Sequence, residues 1–175
     1  MTRKTLRKGG RKLPIQVVKT VPNWFTIGNL LSGIFSITLI MNGFFRLAAV
    51  FIFFSAFLDL FDGRIARKLK VNSEIGVELD SLADIVSFGV APAILFHTLS
   101  DGSWISSIAF MFFPAMGALR LARFSVKPTV GYFCGIPITL AGLIMAGMGL
   151  FLYSNPYITL LLAGLMVSPI RIKKF

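Results

Sequence analysis

The chain has 175 residues, of which 55% are hydrophobic and only 14% are charged, and its mean hydropathy is +0.80. This composition excludes an ordinary soluble domain and indicates an integral membrane protein. The formal net charge is +11, but the basic N-terminus adjoins apolar segments, so attraction to anionic lipid is favoured over nucleic-acid binding.

We predict an all-α fold in which a basic cytoplasmic or interfacial segment, residues 1–22, precedes one membrane domain, residues 23–175. About 20 apolar residues are needed to cross a hydrocarbon core of about 30 Å as a helix. Six stretches come near this length and are predicted as transmembrane helices: 25–42, 45–66, 77–98, 104–123, 135–153 and 156–170. The first is a retained helix rather than a signal peptide, because further spans follow it and no convincing cleavage site is present.

The positions of the basic residues predict the topology of these spans. Lysine and arginine occur in the N-terminal segment, after spans two and four, and at the C-terminus, whereas the other turns hold only Arg46. By the positive-inside rule, both termini and the loop 68–76 are cytoplasmic. Two cytoplasmic termini require an even number of spans, which agrees with six.

Six of the seven acidic residues lie between Asp59 and Asp84. At 100° per residue, one side of the second helix carries five residues of interest: Asp59, Asp62, Gly63, Ala66 and Arg67. Gly76, Asp80 and Asp84 recur every fourth residue and share a side of the next helix. Two adjacent helices joined by a loop of about nine residues can therefore direct four aspartates at each other, while Glu74 and Glu78 are expected in solvent.

Converging carboxylates repel one another and need a cation between them. Arg67 supplies one charge, which is insufficient, so a hard divalent cation, Mg²⁺ or Mn²⁺, is the natural complement. Two ions are plausible with four aspartates. Gly63 and Ala66 leave room for a ligand beside the carboxylates, and the Arg67 guanidinium can bind phosphate, so the pattern predicts a diphosphate site. The four aspartates could instead be solvated at the helix ends, but solvated side chains would not need to share one face of each helix.

The spacing of these eight residues resembles the signature of the CDP-alcohol phosphotransferases at every fixed position. The resemblance implies a six-helix fold, usually a homodimer, with an active site open to the cytoplasm. It also implies that Asp59, Asp62, Asp80 and Asp84 bind metal, with Asp84 as general base. The implied CDP and diphosphate contacts are Asn23, Thr26, Asn29, Gly63, Ala66, Arg67, Ser73 and Gly76.

Four other stretches, "PNWFTIGNLLSG", "ELDSLADIVSFGVAPA", "ALRLARF" and "GIPIT", are similar to the type II phosphatidylserine synthases of this family. That similarity implies CDP-diacylglycerol and L-serine as substrates, and phosphatidylserine and CMP as products. Arg120 and Arg123, three residues apart at the end of span four, are candidates for binding the acceptor, although both could serve topology alone.

Three alternatives remain open. The acceptor could be glycerol 3-phosphate or inositol phosphate, although a phosphate acceptor should prefer more cations than Arg120 and Arg123 provide. Intramembrane carboxylates could also belong to a cation transporter, but Gly63, Ala66 and Arg67 would then have no role. A prenyl transferase usually has paired adjacent aspartates, which this stretch lacks.

Overall fold

The computed structural model describes residues 5–8, 11–69, 74–126, 132–168 and 171–173, with side chains described within 23–61, 63–64, 75–124 and 135–168. Two short antiparallel ribbons flank the helices: β1 (Thr5–Lys8) pairs with β2 (Arg11–Pro14), and β3 (Tyr132–Cys134) pairs with β4 (Arg171–Lys173). The helices are α1 (Ile15–Met41), α2 (Phe45–Leu69), α3 (Glu74–Asp84), α4 (Ala91–Leu99), α5 (Trp104–Val126), α6 (Ile138–Leu150) and α7 (Pro156–Val167).

A π-helical segment, Ile85–Val90, joins α3 to α4, so residues 74–99 form one continuous helical rod. The described chain therefore contains six rods, which follow the six predicted spans in order. Three helical stretches are long and apolar enough to cross a membrane: Asn23–Met41, Ile75–Leu99 and Trp104–Phe124. Helices α6 and α7 are apolar but shorter. These helices support a membrane protein, and the count of six spans stays a prediction.

Two boundaries differ from those expected. Helix α2 continues to Leu69 and α3 begins at Glu74, so at most residues 70–73 connect them, whereas we predicted a loop over 68–76. Gly76 therefore lies within α3, the helix that also carries Asp80 and Asp84. Helix α1 begins at Ile15, inside the segment predicted to precede the membrane domain.

Helices α1 and α2 form a tightly packed hairpin. The turn between them contains Gly43 at φ +80°, a left-handed conformation that glycine adopts without steric cost. Serine hydroxyls of α1 donate hydrogen bonds to backbone carbonyl oxygens of α2, from Ser32 to Phe51 at 2.9 Å and from Ser36 to Ala48 at 2.9 Å. Small residues and interhelical hydroxyl bonds of this kind hold helices together where lipid provides no hydrophobic drive.

The rod formed by α3, the π-helical segment and α4 lies at the centre of the packing, against α1, α5 and α6. Glycines allow two of these approaches. A Cβ at Gly33 of α1 would lie 2.8 Å from the Ser87 Cα, and a Cβ at Gly142 of α6 would lie 2.6 Å from the Phe88 carbonyl oxygen. Phe88 is fully buried between these helices. The rod therefore has little freedom to shift relative to its neighbours.

Asparagine and aspartate side chains cap two helices at their first turns. The Asn155 carboxamide oxygen accepts hydrogen bonds from the backbone N–H groups of Tyr157 and Ile158 at the start of α7. Asp101, ahead of α5, accepts from the Ser103 N–H at 3.1 Å and the Ser106 hydroxyl at 2.9 Å. These bonds, the backbone bond first, lower the pKa of Asp101 from its ordinary value.

Candidate active site

Three carboxylates from two helices converge at one place in the structure. Asp59 projects from α2, and Asp80 and Asp84 project from α3 one turn apart. One carboxylate oxygen from each residue lies within 4.8 Å of the others. Asp62 is also on α2, but its side chain is not among those described. The geometry thus brings together three of the four predicted aspartates.

The environment of these three carboxylates fits a hard divalent cation. Asp59 and Asp80 are partly buried, and the Asp80 Oδ1 atom is buried without a hydrogen bond from any residue that the structure describes. Such an atom is costly unless a proton or a cation compensates it. Mg²⁺ and Mn²⁺ prefer carboxylate oxygen ligands, which are the donors present here. The predicted metal ligands Asp59, Asp80 and Asp84 therefore have suitable chemistry and spacing.

Helix α1 brings an amide to the same cluster. Asn29 is fully buried, and its Nδ2 atom lies 3.5 Å from the Asp84 Oδ1 atom, where it donates a hydrogen bond to the carboxylate. The Asn29 Oδ1 atom is buried and has no partner within the described part of the chain. Thr26, about one turn before Asn29, is 4% exposed, and Asn23, a further three residues back, is partly buried.

The two arginines predicted to bind the acceptor have different surroundings. Arg120 on α5 is partly buried and lies close enough to Asp84 for their opposite charges to interact. Its Nε atom is buried and makes no hydrogen bond to the described residues. Arg123, nearly one turn further along α5, is exposed. Of the two arginines, Arg120 is the one for which the structure shows an interaction with the carboxylate cluster.

The other predicted contacts are described less completely. Gly63 on α2 and Gly76 on α3 are partly buried. Ala66 and Arg67 lie on α2 beyond Gly63, but their side chains are outside the described set. Ser73 falls in 70–73, which is not described. The structure thus places the backbone of the signature residues on α2 and α3, but it does not define the side chain of Arg67.

Two serines that were not singled out from the sequence support this site. The hydroxyls of Ser55 on α2 and Ser87 in the π-helical segment both donate to the Asn29 backbone carbonyl oxygen, at 3.3 and 3.0 Å. Both serines are fully buried. Their spacing was an available signal, since Ser55 precedes Asp59 by four residues and Ser87 follows Asp84 by three. The π-helical segment, which begins directly after Asp84, left no such signal; segments of this type are frequent at functional sites.

Residues 19–170 match the model of a protein family described as CDP-alcohol phosphatidyltransferase. The chain is also similar to curated proteins that are named CDP-diacylglycerol–serine O-phosphatidyltransferase. The Bacillus subtilis (strain 168) protein is 36% identical over 89% of this chain and 90% of its own length. The Methanocaldococcus jannaschii protein is 35% identical over 92% of this chain and 77% of its own. The Helicobacter pylori (strain J99) protein is 35% identical over 93% of this chain and 76% of its own length.

Proposed function

The chain belongs to the CDP-alcohol phosphatidyltransferase family, and on that basis we infer that it transfers the phosphatidyl group of CDP-diacylglycerol to the hydroxyl of L-serine. The products are phosphatidylserine and CMP, which makes the protein an enzyme of phospholipid biosynthesis. One observation carries the choice of acceptor: relatives named for this reaction align with most of the chain at 35–36% identity. The family match over residues 19–170 includes the full carboxylate cluster.

The carboxylates define the metal-binding part of the proposed mechanism. Asp59, Asp80 and Asp84, with Asp62 from the same face of α2, would hold Mg²⁺ or Mn²⁺, and two ions suit four aspartates. When bound, these ions supply positive charge that offsets the charge developing on the diphosphate during transfer. The unpartnered Asp80 Oδ1 atom supports this assignment, because it is a buried acceptor with no donor among the described residues.

Asp84 is the proposed general base. It removes the proton from the serine hydroxyl, and the serine oxygen then attacks the β-phosphorus of CDP-diacylglycerol. A new P–O bond to serine forms as the P–O bond to the CMP phosphate breaks, so that CMP leaves with the bridging oxygen. The proton passes from Asp84 to solvent. The hydrogen bond from the Asn29 amide orients the Asp84 carboxylate, which keeps the accepting oxygen in one direction.

Arg120 is the better candidate of the two arginines for holding the acceptor. A guanidinium binds a carboxylate through paired N–H donors, and the Arg120 Nε atom is buried without a described partner. The position of Arg120 near Asp84 would hold the serine carboxylate beside the base. Exposed Arg123 would contribute mainly to topology and to the attraction of anionic lipid.

The nucleotide and the lipid would occupy opposite sides of the reacting phosphates. Five of the predicted residues would contact the CDP moiety from α2, from the connection 70–73 and from the start of α3: Gly63, Ala66, Arg67, Ser73 and Gly76. Asn23, Thr26 and Asn29 would do so from α1. The acyl chains would remain in the bilayer. The distribution of basic residues supports an enzyme with cytoplasmic termini and a cytoplasmic active site, and family membership supports a homodimer.

The test is CMP release by the purified protein with CDP-diacylglycerol, Mg²⁺ or Mn²⁺, and one acceptor at a time. We expect release with L-serine, none with glycerol 3-phosphate or inositol phosphate, and loss of release on chelation, reversed by either ion. CMP release only with a phosphate acceptor would refute the assignment of serine while leaving the transfer chemistry intact. If no alcohol released CMP, the enzymatic function would be wrong, and cation transport would become the first alternative to measure.

A further inference from the structure

One backbone atom connects the three helical elements that build the carboxylate cluster. The Asn29 carbonyl oxygen on α1 accepts hydrogen bonds from Ser55 of α2 and from Ser87 of the π-helical segment. Each serine lies about one helical turn from a carboxylate of its own rod, since Ser55 precedes Asp59 by four residues and Ser87 follows Asp84 by three. Both elements that carry the cluster are therefore fixed to the same point on α1.

The contact at Ser87 is close because the facing residue of α1 is glycine. A Cβ at Gly33 would lie 2.8 Å from the Ser87 Cα and 3.0 Å from its Cβ. Gly33 and Asn29 are one turn apart on the same face of α1. The glycine thus allows the π-helical segment to approach α1 until the Ser87 hydroxyl reaches the Asn29 carbonyl.

Fixing both rods to one atom constrains the separation of their carboxylates. The distance between Asp59 and Asp84 depends on how α2 and α3 sit relative to each other, and the two serine bonds set this through a common acceptor. The same residue that provides this acceptor also donates its side-chain amide to Asp84. Outer partners of metal ligands commonly control ligand orientation and metal affinity.

We propose that Ser55 and Ser87 are positioning residues, which hold the carboxylates of α2 and α3 at the separation that binds the divalent cation. In this role they act through the Asn29 carbonyl oxygen, to which both hydroxyls donate. The proposal rests on the proposed function only in so far as the carboxylate cluster binds metal.

Ser36 offers a matched control within the same hairpin. Like Ser55 and Ser87 it is fully buried, and its hydroxyl donates to a backbone carbonyl across α1 and α2, that of Ala48 at 2.9 Å. Ala48 lies eleven residues, about three turns, before Asp59. Ser36→Ala removes a bond of the same kind without acting on the rod that carries Asp84.

The experiment measures Mn²⁺ binding to the purified full chain in detergent, with free Mn²⁺ quantified by electron paramagnetic resonance. We expect Ser55→Ala and Ser87→Ala each to raise the Kd for Mn²⁺ about tenfold, at the lower end of the loss caused by removing outer partners of metal ligands. Ser36→Ala should leave the Kd unchanged. Ser55→Thr, which retains a hydroxyl, should bind Mn²⁺ like the unaltered protein.

Turnover with varied Mn²⁺ separates positioning from a general effect on folding. The positioning role predicts a higher Mn²⁺ concentration at half-maximal rate in Ser87→Ala, with kcat recovered at saturating Mn²⁺. A purely structural role would lower kcat at every Mn²⁺ concentration, because less of the protein would be folded. That result would overturn the proposal.

Two further outcomes would also overturn it: an unchanged Kd in both alanine variants, or an equal rise in Ser36→Ala. Asp80→Asn distinguishes these failures from a failure of the proposed function. If Asp80→Asn binds Mn²⁺ as well as the unaltered protein does, the cluster is not the metal site. The metal-dependent mechanism and the positioning role would then both be wrong. If Asp80→Asn alone weakens binding, only the positioning role is wrong.

Discussion

Gly33→Ala tests the closest approach between α1 and the π-helical segment. The added Cβ would lie 2.8 Å from the Ser87 Cα, 3.0 Å from the Ser87 Cβ and in contact with the Ser87 hydroxyl. Carbon atoms pack best at about 3.5–4.0 Å. Because the nearest carbon belongs to the backbone of Ser87, no side-chain rotation relieves the overlap, and the two helices must separate by roughly 1 Å.

Overpacking of this kind typically costs about 1–3 kcal/mol. For a chain of this length, 1 kcal/mol corresponds to roughly 2–4 °C in Tm. A cost near 2 kcal/mol would therefore lower Tm by about 4–8 °C. Because Ser87 would move away from Asn29, the affinity for Mn²⁺ should fall in the same variant. Thermal unfolding of the purified protein, followed by the fluorescence of Trp24 and Trp104, measures the first effect.

Gly147→Ala is the control for this substitution. Gly147 lies in α6, and a Cβ there would meet nothing within 4 Å of the described structure. Alanine is favoured over glycine inside a helix by up to about 1 kcal/mol, so Tm should stay the same or rise. If Gly33→Ala and Gly147→Ala unfold at the same temperature, the close contact between Gly33 and Ser87 does not restrain the helices, and the reasoning fails.

Three further predictions concern single side chains. Asp84→Asn should abolish CMP release while binding of CDP-diacylglycerol remains measurable; equal loss of binding would make Asp84 chiefly a metal ligand rather than the base. Arg120→Gln should raise the KM for serine about 10- to 100-fold, as expected for a lost charged hydrogen bond of about 1.5–3 kcal/mol, whereas Arg123→Gln should not, and equal effects would contradict our assignment. Asp101→Ala should lower Tm at neutral pH. Because the folded-state pKa of Asp101 is lowered, its contribution is full above its ordinary pKa near 4 and disappears as the pH falls through the folded value; a Tm difference that persisted in acid would exclude the carboxylate as its source.

The convergence of three aspartates was predictable because it follows from helical periodicity. Asp80 and Asp84 are four residues apart and necessarily share a face of α3, and the short connection to α2 brings that face against Asp59. The difference between Arg120 and Arg123 was not predictable in this way. Both lie near the end of the same helix, yet the folded structure leaves Arg120 partly buried and Arg123 exposed.

The lengths of the last two helices show what hydropathy cannot determine. We predicted spans over 135–153 and 156–170, whereas α6 covers Ile138–Leu150 and α7 covers Pro156–Val167. An apolar run gives the extent of the hydrophobic segment, but local backbone geometry ends the helix. Pro137, at φ −57° and ψ 141°, precedes α6, and Leu152 at φ 54° follows it. These conformations depend on turns that composition does not encode.

The hydrogen bonds from Ser55 and Ser87 to the Asn29 carbonyl oxygen could not be predicted either, for a different reason. A serine within an apolar helix bonds either to its own helix or to a neighbour, and the sequence does not distinguish the two. Ser81 donates to Val77 of its own helix, whereas Ser87 donates across to α1. The choice depends on the approach that Gly33 permits, which appears only when the helices are packed.

The π-helical segment has a consequence for how the two ends of the central rod can vary between related proteins. Each of its hydrogen bonds spans one residue more than an α-helical bond, so α4 is offset from α3 by about one residue, or roughly 100° of rotation. The rod thus behaves like a helix that has accommodated a single inserted residue. Its first half directs Asp80 and Asp84 at α1 and α2. In its second half, Leu95 and Phe96 pack in the apolar core. Substitutions in α4 that change its packing in the core therefore need not change the direction in which α3 presents Asp80 and Asp84.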